Sequence, residues 1–216
     1  MNIKNTISTI LLPMIESNLT DWKKYDKLEL KDVPSIKKSD LPSEFCEESF
    51  DIIDTFIKKT SGLEYEILIY FDYITGKILK CKIGNKNRVK MKFNEKEFKG
   101  KHIASIHNHP PDTYSPPSNK NFGLLSRDWE DYELIAGMNE LWIMKGKIND
   151  KKLQHEFNIV AYSFYRLVED YFEANYKSED EIKRIYDEQY GNLLSKYIND
   201  KNINDIQLNK TEYHHE

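Results

Sequence analysis

The residues best suited to chemistry lie together near the middle of the chain, where His107 and His109 are separated by a single asparagine. They end an apolar run that contains Ile103, Ala104 and Ile106, and such a run favours a β-strand. Side chains alternate between the two faces of a strand, so both imidazoles lie on one side of it. Two imidazoles on one side of a strand can bind a single metal ion.

A stiff loop must follow this pair, because four prolines there exclude a helix or a central strand: Pro110, Pro111, Pro116 and Pro117. Ser118 and Asn121 come next, where the loop is predicted to enter a helix. Ser118 is a good N-cap residue, and its hydroxyl is equally a candidate to face the metal. Without this context, a His-x-His pair also fits two partly buried aromatic rings or a surface pair.

The motif His107-Asn108-His109-Pro110, with Ser118 and Asn121 after it, resembles the metal signature of the JAB/MPN (JAMM) metalloprotease superfamily. The nearest branches are the bacterial RadC-type and phage-associated ones, and the resemblance covers residues 62–145. In that pattern an upstream glutamate, two histidines, a serine and an aspartate form a zinc site. Here the spacer before Ser118 is one residue longer, and Asn121 stands where the pattern has aspartate.

The resemblance implies that His107, His109 and Asn121 bind zinc, with a water molecule as the fourth ligand. Glu64 is the implied catalytic base that takes a proton from this metal-activated water. Glu66 is the alternative base, because it lies two residues further on the same strand face.

The implied reaction is zinc-dependent hydrolysis of a peptide or isopeptide bond, in which Ser118 helps to hold the oxyanion. The implied substrate is a peptide or a protein, including ubiquitin-like proteins.

Two other functions remain open, the first because Asn121 is uncharged and the second because the motif resembles RadC-type proteins. The first is a catalytically impaired JAB-like scaffold that works through protein contacts. The second is a RadC-like DNA-associated protein. We expect Asn121→Asp to bind zinc more tightly, since a carboxylate is a stronger zinc ligand than an amide.

Length, charge and cysteine content restrict the domain organisation and the classes of function further. A chain of 216 residues suits one domain with extensions or two small domains. A net charge of -4 and a pI near 5.9 argue against a general electrostatic contact with nucleic acid. Two cysteines, Cys46 and Cys81, cannot make a disulfide framework, and we expect reduced thiols in a cytoplasmic protein without a signal peptide or membrane span.

The elements that must position the motif indicate an α+β fold, which the resemblance specifies as a curved mixed β-sheet flanked by helices. We expect four parts: an N-terminal arm (1–42), a metal-binding domain (43–150), a C-terminal helical hairpin (151–200) that packs on the sheet or binds a protein partner, and a flexible tail (201–216).

Hydrophobic periodicity predicts the individual elements. The predicted helices are 44–59 with Ser43 as N-cap, 121–136 ended by Gly137, 156–176 and 181–198. The predicted strands are a hairpin of 63–72 and 77–83, then 88–93, 102–107 and 140–145.

Overall fold

The computed structural model describes residues 33–86, 89, 95–111, 113, 115–117, 121, 127–146, 155, 159, 178 and 206–215. Within these residues lie one long helix, two short 3-10 turns and eight strands. The fold class is mixed α+β, as the sequence predicts.

The helix is α1 (Glu47–Thr60), and the 3-10 turns are Lys38–Asp40 and Glu95–Glu97. The strands are β1 (Pro34–Ser35), β2 (Ile67–Asp72), β3 (Lys77–Ile83), β4 (Ile103–Asn108), β5 (Tyr132–Ala136), β6 (Glu140–Gly146), β7 (Ile206–Glu212) and β8 (His214–His215). Six of them form one sheet in the order β3-β2-β4-β5-β6-β7, which is antiparallel except for the parallel pair β4–β5. Strands β1 and β8 form a separate antiparallel pair.

Helix α1 covers one face of the sheet. Its buried residues Ile52, Ile53, Phe56 and Ile57 recur at helical spacing and belong to the main hydrophobic cluster. The predicted helix 44–59 is therefore confirmed, although its start is wrong, because Cys46 and not Ser43 occupies the N-cap.

The strands around the motif also follow the sequence. The predicted hairpin is confirmed as β2 and β3, and the predicted strands 102–107 and 140–145 are confirmed as β4 and β6. Each face of β4 meets a different cluster: Ala104 and Ile106 pack in the main cluster, whereas Ile103 packs with Leu68 and Tyr70 on the opposite face. The second face is the one that carries His107, since Leu68 is its register partner.

The predicted helix 121–136 is wrong at its C-terminal end, because residues Tyr132–Ala136 form strand β5 between β4 and β6. All five residues of β5 are buried. A strand covered on both faces lacks a clear alternation, so its apolar residues also fit a helical spacing. Gly137 follows β5 in the turn to β6 and ends no helix.

The predicted flexible tail is wrong for residues 206–215, and the rest of the segment 201–216 lies outside the described residues. Ile206–Glu212 pairs along β6 as the last strand of the sheet, and β8 pairs with β1. Between them Tyr213 is 6% exposed and belongs to the main cluster. The polar composition of this segment reflects an edge strand, of which one side faces solvent.

Several predictions lie largely outside the described residues: most of the arm 1–42, nearly all of the strand 88–93, and the hairpin 151–200. Two residues of that hairpin, His155 and Ile159, are helical. In the part of the chain that the structure describes, none of the helices has the length and apolar character needed to cross a membrane.

Candidate metal centre

The histidine pair lies where β4 ends, on the sheet face opposite α1. The Nε2 atoms of His107 and His109 are 3.3 Å apart. Two nitrogens bound to one tetrahedral zinc at about 2.0–2.1 Å are separated by about 3.3–3.4 Å. The two side chains therefore stand at ligand-to-ligand distance, as the strand alternation predicts.

The chain holds the two histidines in different ways. His107 is buried within the sheet at 6% exposure, in register with Leu68 on β2 and Ile135 on β5. His109 is half-buried beyond the strand, and its backbone N–H donates to the carbonyl of Ala136 at 2.9 Å. The motif is thus fixed to the ends of β4 and β5 together.

Burial also sets the protonation of His107. Loss of solvent, followed by the nearby charges of His109 and Arg127, lowers the pKa of His107 well below its usual range. The imidazole is consequently neutral at physiological pH, and neutral imidazole is the form that binds a metal.

Asn121 is the third predicted ligand, and it lies next to the pair. Its Nδ2 is 3.1 Å from His107 Nε2 and donates to Glu133 Oε1 at 2.9 Å. The side chain is buried at 8% exposure. The nitrogen end of the amide, not its oxygen, faces His107.

Glu133 is the residue of this site that the sequence predictions missed. It lies on β5 in register with Ser105 of β4, so it shares the sheet face of His107. Its Oε1 is 3.6 Å from His107 Nδ1, a distance too long for a hydrogen bond. Among the described residues its Oε2 is buried and has no hydrogen-bond partner. The signal in the sequence is a single acidic residue inside the apolar run of β5. It is missed because this run is assigned to the predicted helix 121–136.

Burial raises the pKa of the Glu133 carboxyl to about 8, and the charge of Glu130 acts in the same direction. Arg127 and the hydrogen bond from Asn121 oppose this rise. A carboxyl group that keeps its proton near neutral pH is typical of functional sites, although structural networks produce it too.

An ion pair between the half-buried Arg127 and the buried Glu130 lies near Glu133. Arg127 Nη1 donates to Glu130 Oε2 at 2.5 Å, and Ser105 Oγ donates to the other carboxylate oxygen. Glu130 is fully buried, and the Arg127 guanidinium also lies 5.9 Å from the ring centroid of Trp129. This cluster supports the strand that carries Glu133.

The asparagine between the two histidines has a role of its own. Asn108 Oδ1 accepts from Ile67 N at 2.6 Å, and its Nδ2 donates to Tyr65 O at 2.9 Å. It is 2% exposed, so water does not compete for these bonds. The side chain therefore clamps the start of β2, the segment that carries both candidate bases, to the end of β4.

The two candidate bases differ in their placement. Glu64 is exposed in a bend before β2, whereas Glu66 is half-buried. Strand alternation from Leu68, the register partner of His107, puts Glu66 on the face of the histidine pair. The role of Glu64 remains a prediction, and the register favours Glu66 more than the sequence did.

The proline loop approaches the site through Ser115, which is 3% exposed and accepts from Met138 N at 3.4 Å. A Cβ on Gly137 would lie 2.6 Å from Ser115 Oγ, so this glycine permits the close approach. The predicted oxyanion residue Ser118 lies outside the described residues. Asp128, which follows this loop in the sequence, is exposed.

The donor set fits zinc in part. Within the described ranges, no three side chains of histidine, cysteine, aspartate or glutamate are grouped so that they could hold a metal ion. Two neutral imidazoles at ligand-to-ligand distance are nevertheless suited to zinc, and Asn121 is the polar side chain beside them. The two histidines thus fit a zinc site, and Asn121 fits as a third ligand only with its amide oxygen turned towards the pair.

Comparisons of the chain with protein-family models, with curated proteins and with solved structures found no match.

Proposed function

We propose that this chain is a zinc-dependent peptidase or isopeptidase of the JAB/MPN type. The observation that carries the proposal is the 3.3 Å separation of the His107 and His109 Nε2 atoms on one face of β4. The burial that keeps His107 neutral supports it, because a protonated imidazole cannot bind a metal. The motif that follows the pair supports it independently.

Each residue has a defined part in this proposal. His107, His109 and Asn121 would hold the metal, and the amide of Asn121 would have to turn so that its oxygen, not its nitrogen, faces the pair. When bound, zinc supplies Lewis acidity towards water and a carbonyl oxygen. Glu64 or Glu66 accepts a proton and returns it to the leaving amine, and Asn108 keeps both close to the histidines through its bonds to Tyr65 and Ile67. The hydroxyl of Ser118 donates to the oxyanion.

The finer architecture belongs to the same proposal. It comprises a JAB/MPN-like sheet, a C-terminal helical hairpin available to a protein partner, and a cytoplasmic location. The substrate class is a peptide or protein, with ubiquitin-like proteins included.

A scaffold without catalysis is the second candidate, and one observation favours it. The amide nitrogen of Asn121 already satisfies both His107 Nε2 and Glu133 Oε1. The three side chains are therefore linked to one another by hydrogen bonds without a cation. In this reading the domain acts through protein contacts.

Elemental analysis of the purified protein tests the metal. We expect about one zinc per chain in the wild type and its loss in His107→Ala and His109→Ala, since each removes a ligand. His102→Ala is the matched control, because His102 is exposed and directly precedes the same strand. Equal zinc in all four proteins, or none in the wild type, would contradict the proposal.

A catalytic comparison then separates the enzyme from the scaffold. If Glu64 is the base, Glu64→Gln abolishes hydrolysis of a peptide or ubiquitin-like substrate at unchanged zinc content, and Glu66→Gln has a mild effect. The reverse result assigns Glu66. A zinc-loaded wild type that cleaves none of these substrates supports the scaffold.

A further inference from the structure

We propose that Glu133 is a positioning residue that acts through Asn121 to set the tautomer of His107. The inference rests on the proposed zinc site, but it concerns the protein before any metal binds. It assigns a role to the contact between Glu133 and Asn121, which the sequence motif does not predict.

The first step is the contact between Glu133 and Asn121. Oε1 of Glu133 lies 2.9 Å from the Asn121 amide nitrogen, which only donates, so Oε1 is the acceptor and the proton of the carboxyl group is on Oε2. Glu133 therefore selects the nitrogen end of the amide as the end that faces it. Both side chains are nearly buried, at 5% and 8% exposure, so water does not replace this bond.

The second step follows from the chemistry of an amide nitrogen, which is a donor and not an acceptor. The same Nδ2 lies 3.1 Å from His107 Nε2, so this ring nitrogen must offer a lone pair. A proton on Nε2 would place two donors against each other inside the protein. The imidazole proton must then be on Nδ1, on the side where Glu133 Oε1 lies 3.6 Å away.

The consequence concerns the histidine pair. The nitrogen left with a lone pair is Nε2, which faces His109 Nε2 at 3.3 Å. A neutral histidine binds a metal only through its unprotonated nitrogen. Here the donor that selects the tautomer faces that same nitrogen, so the Asn121 amide must turn away from Nε2 when a cation binds. The network thus prepares His107 in the form that a divalent cation at the pair requires.

Glu133 is suited to this role because it belongs to the sheet. Strand β5 lies between β4 and β6 and is paired on both sides, whereas Asn121 follows a proline-rich loop. Register places Glu133 beside Ser105, two residues before His107. Glu133, on a strand that is paired on both sides, therefore orients the side chain of Asn121.

Nitrogen NMR of the metal-free protein tests the inference, since the two ring nitrogens of a neutral histidine resonate differently when protonated and unprotonated. We expect His107 to show an unprotonated Nε2 in the wild type and in Glu133→Gln, whose amide oxygen still accepts from Asn121. Glu133→Met removes the acceptor, and we expect a mixture of tautomers. Zinc affinity should fall by about 10–100-fold in Glu133→Met and recover in Glu133→Gln to within about threefold of the wild type.

Glu140→Met is the matched control for the loss of a buried glutamate. Glu140 is 7% exposed on β6, where its carboxylate accepts from Trp142. We expect this variant to be less stable and to keep the wild-type His107 tautomer and zinc affinity. A folded Glu133→Met with an unchanged tautomer, or a wild type with the proton on Nε2, would overturn the inference.

Zinc binding in the wild type separates the two proposals. If the wild type binds zinc and the tautomer does not depend on Glu133, only the positioning role fails. If the wild type binds no zinc while the tautomer depends on Glu133, the metal function fails and the network is structural.

Discussion

Glu133 and His107 are buried on neighbouring strands, and burial shifts their pKa values in opposite directions. Glu133 titrates near 8 in the folded chain and near its ordinary value of 4.5 in the unfolded chain. The folded state therefore holds one more proton between these values, and stability falls as pH rises through this range. His107 acts oppositely: the unfolded chain takes up its proton below about 6.5, so stability falls as pH falls.

The free energy of unfolding of chelator-treated protein, measured in urea as a function of pH, should show the sum of these two effects. Between about pH 4.5 and 6.5 they oppose each other, and between 6.5 and 8 only the Glu133 effect of these two acts, at up to about 1.4 kcal/mol per pH unit. Glu133→Gln should remove the decline above pH 6.5 and keep the loss of stability at lower pH. A wild type whose stability is constant from pH 6.5 to 8 would exclude the raised pKa of Glu133.

The loop that carries the third side chain depends on a close contact between Ser115 and the turn from β5 to β6. At Gly137 a methyl group would meet both Oγ and Cβ of Ser115, at 2.6 and 2.7 Å. Because Ser115 Cβ is next to the backbone, the loop itself must move. The glycine therefore controls the distance between the proline loop and the sheet.

Gly137→Ala should destabilise the protein by about 1–3 kcal/mol through overpacking and should lower zinc affinity by displacing the loop. Thermal unfolding measures the first effect, at about 2–4 °C per kcal/mol for a chain of this size. In a Ser115→Gly background the same substitution should cost less, since the clashing atoms are gone. Equal costs in the two backgrounds would show that the loop is not in contact at Gly137.

The sheet is completed by residues far apart in sequence, because β7 pairs along β6 and β8 returns to β1. The turn between β7 and β8 buries Tyr213 in the main cluster. The C-terminal segment is thus part of the core, and it covers an edge that would otherwise expose the unpaired backbone groups of β6.

Removal of residues 206–216 should cost more than about 3 kcal/mol, the usual loss on deleting one large buried aromatic side chain. We expect a lower midpoint in thermal unfolding and a tendency to aggregate through the uncovered edge of β6. A chain that lacks only Glu216 is the control. An unchanged midpoint after the longer deletion would show that β7 is dispensable.

The amino-acid sequence alone determined the local features of this protein. Alternation along β4 placed His107 and His109 on one side, the apolar spacing of α1 gave its buried face, and the periodicity of residues 63–72 and 77–83 predicted the hairpin of β2 and β3. These features depend on neighbours within a few residues, where backbone geometry fixes the relation between side chains.

Tertiary structure decided the features that depend on pairing between distant segments. Strand β5 and the tail strand β7 have ambiguous or polar sequences, and each forms because a neighbouring strand supplies its hydrogen bonds. Glu133 lies in the site because of such pairing, since only the parallel register of β4 and β5 brings its carboxyl group to Asn121 and His107. Burial, which shifts both pKa values, is likewise a property of the assembled sheet and not of the local sequence.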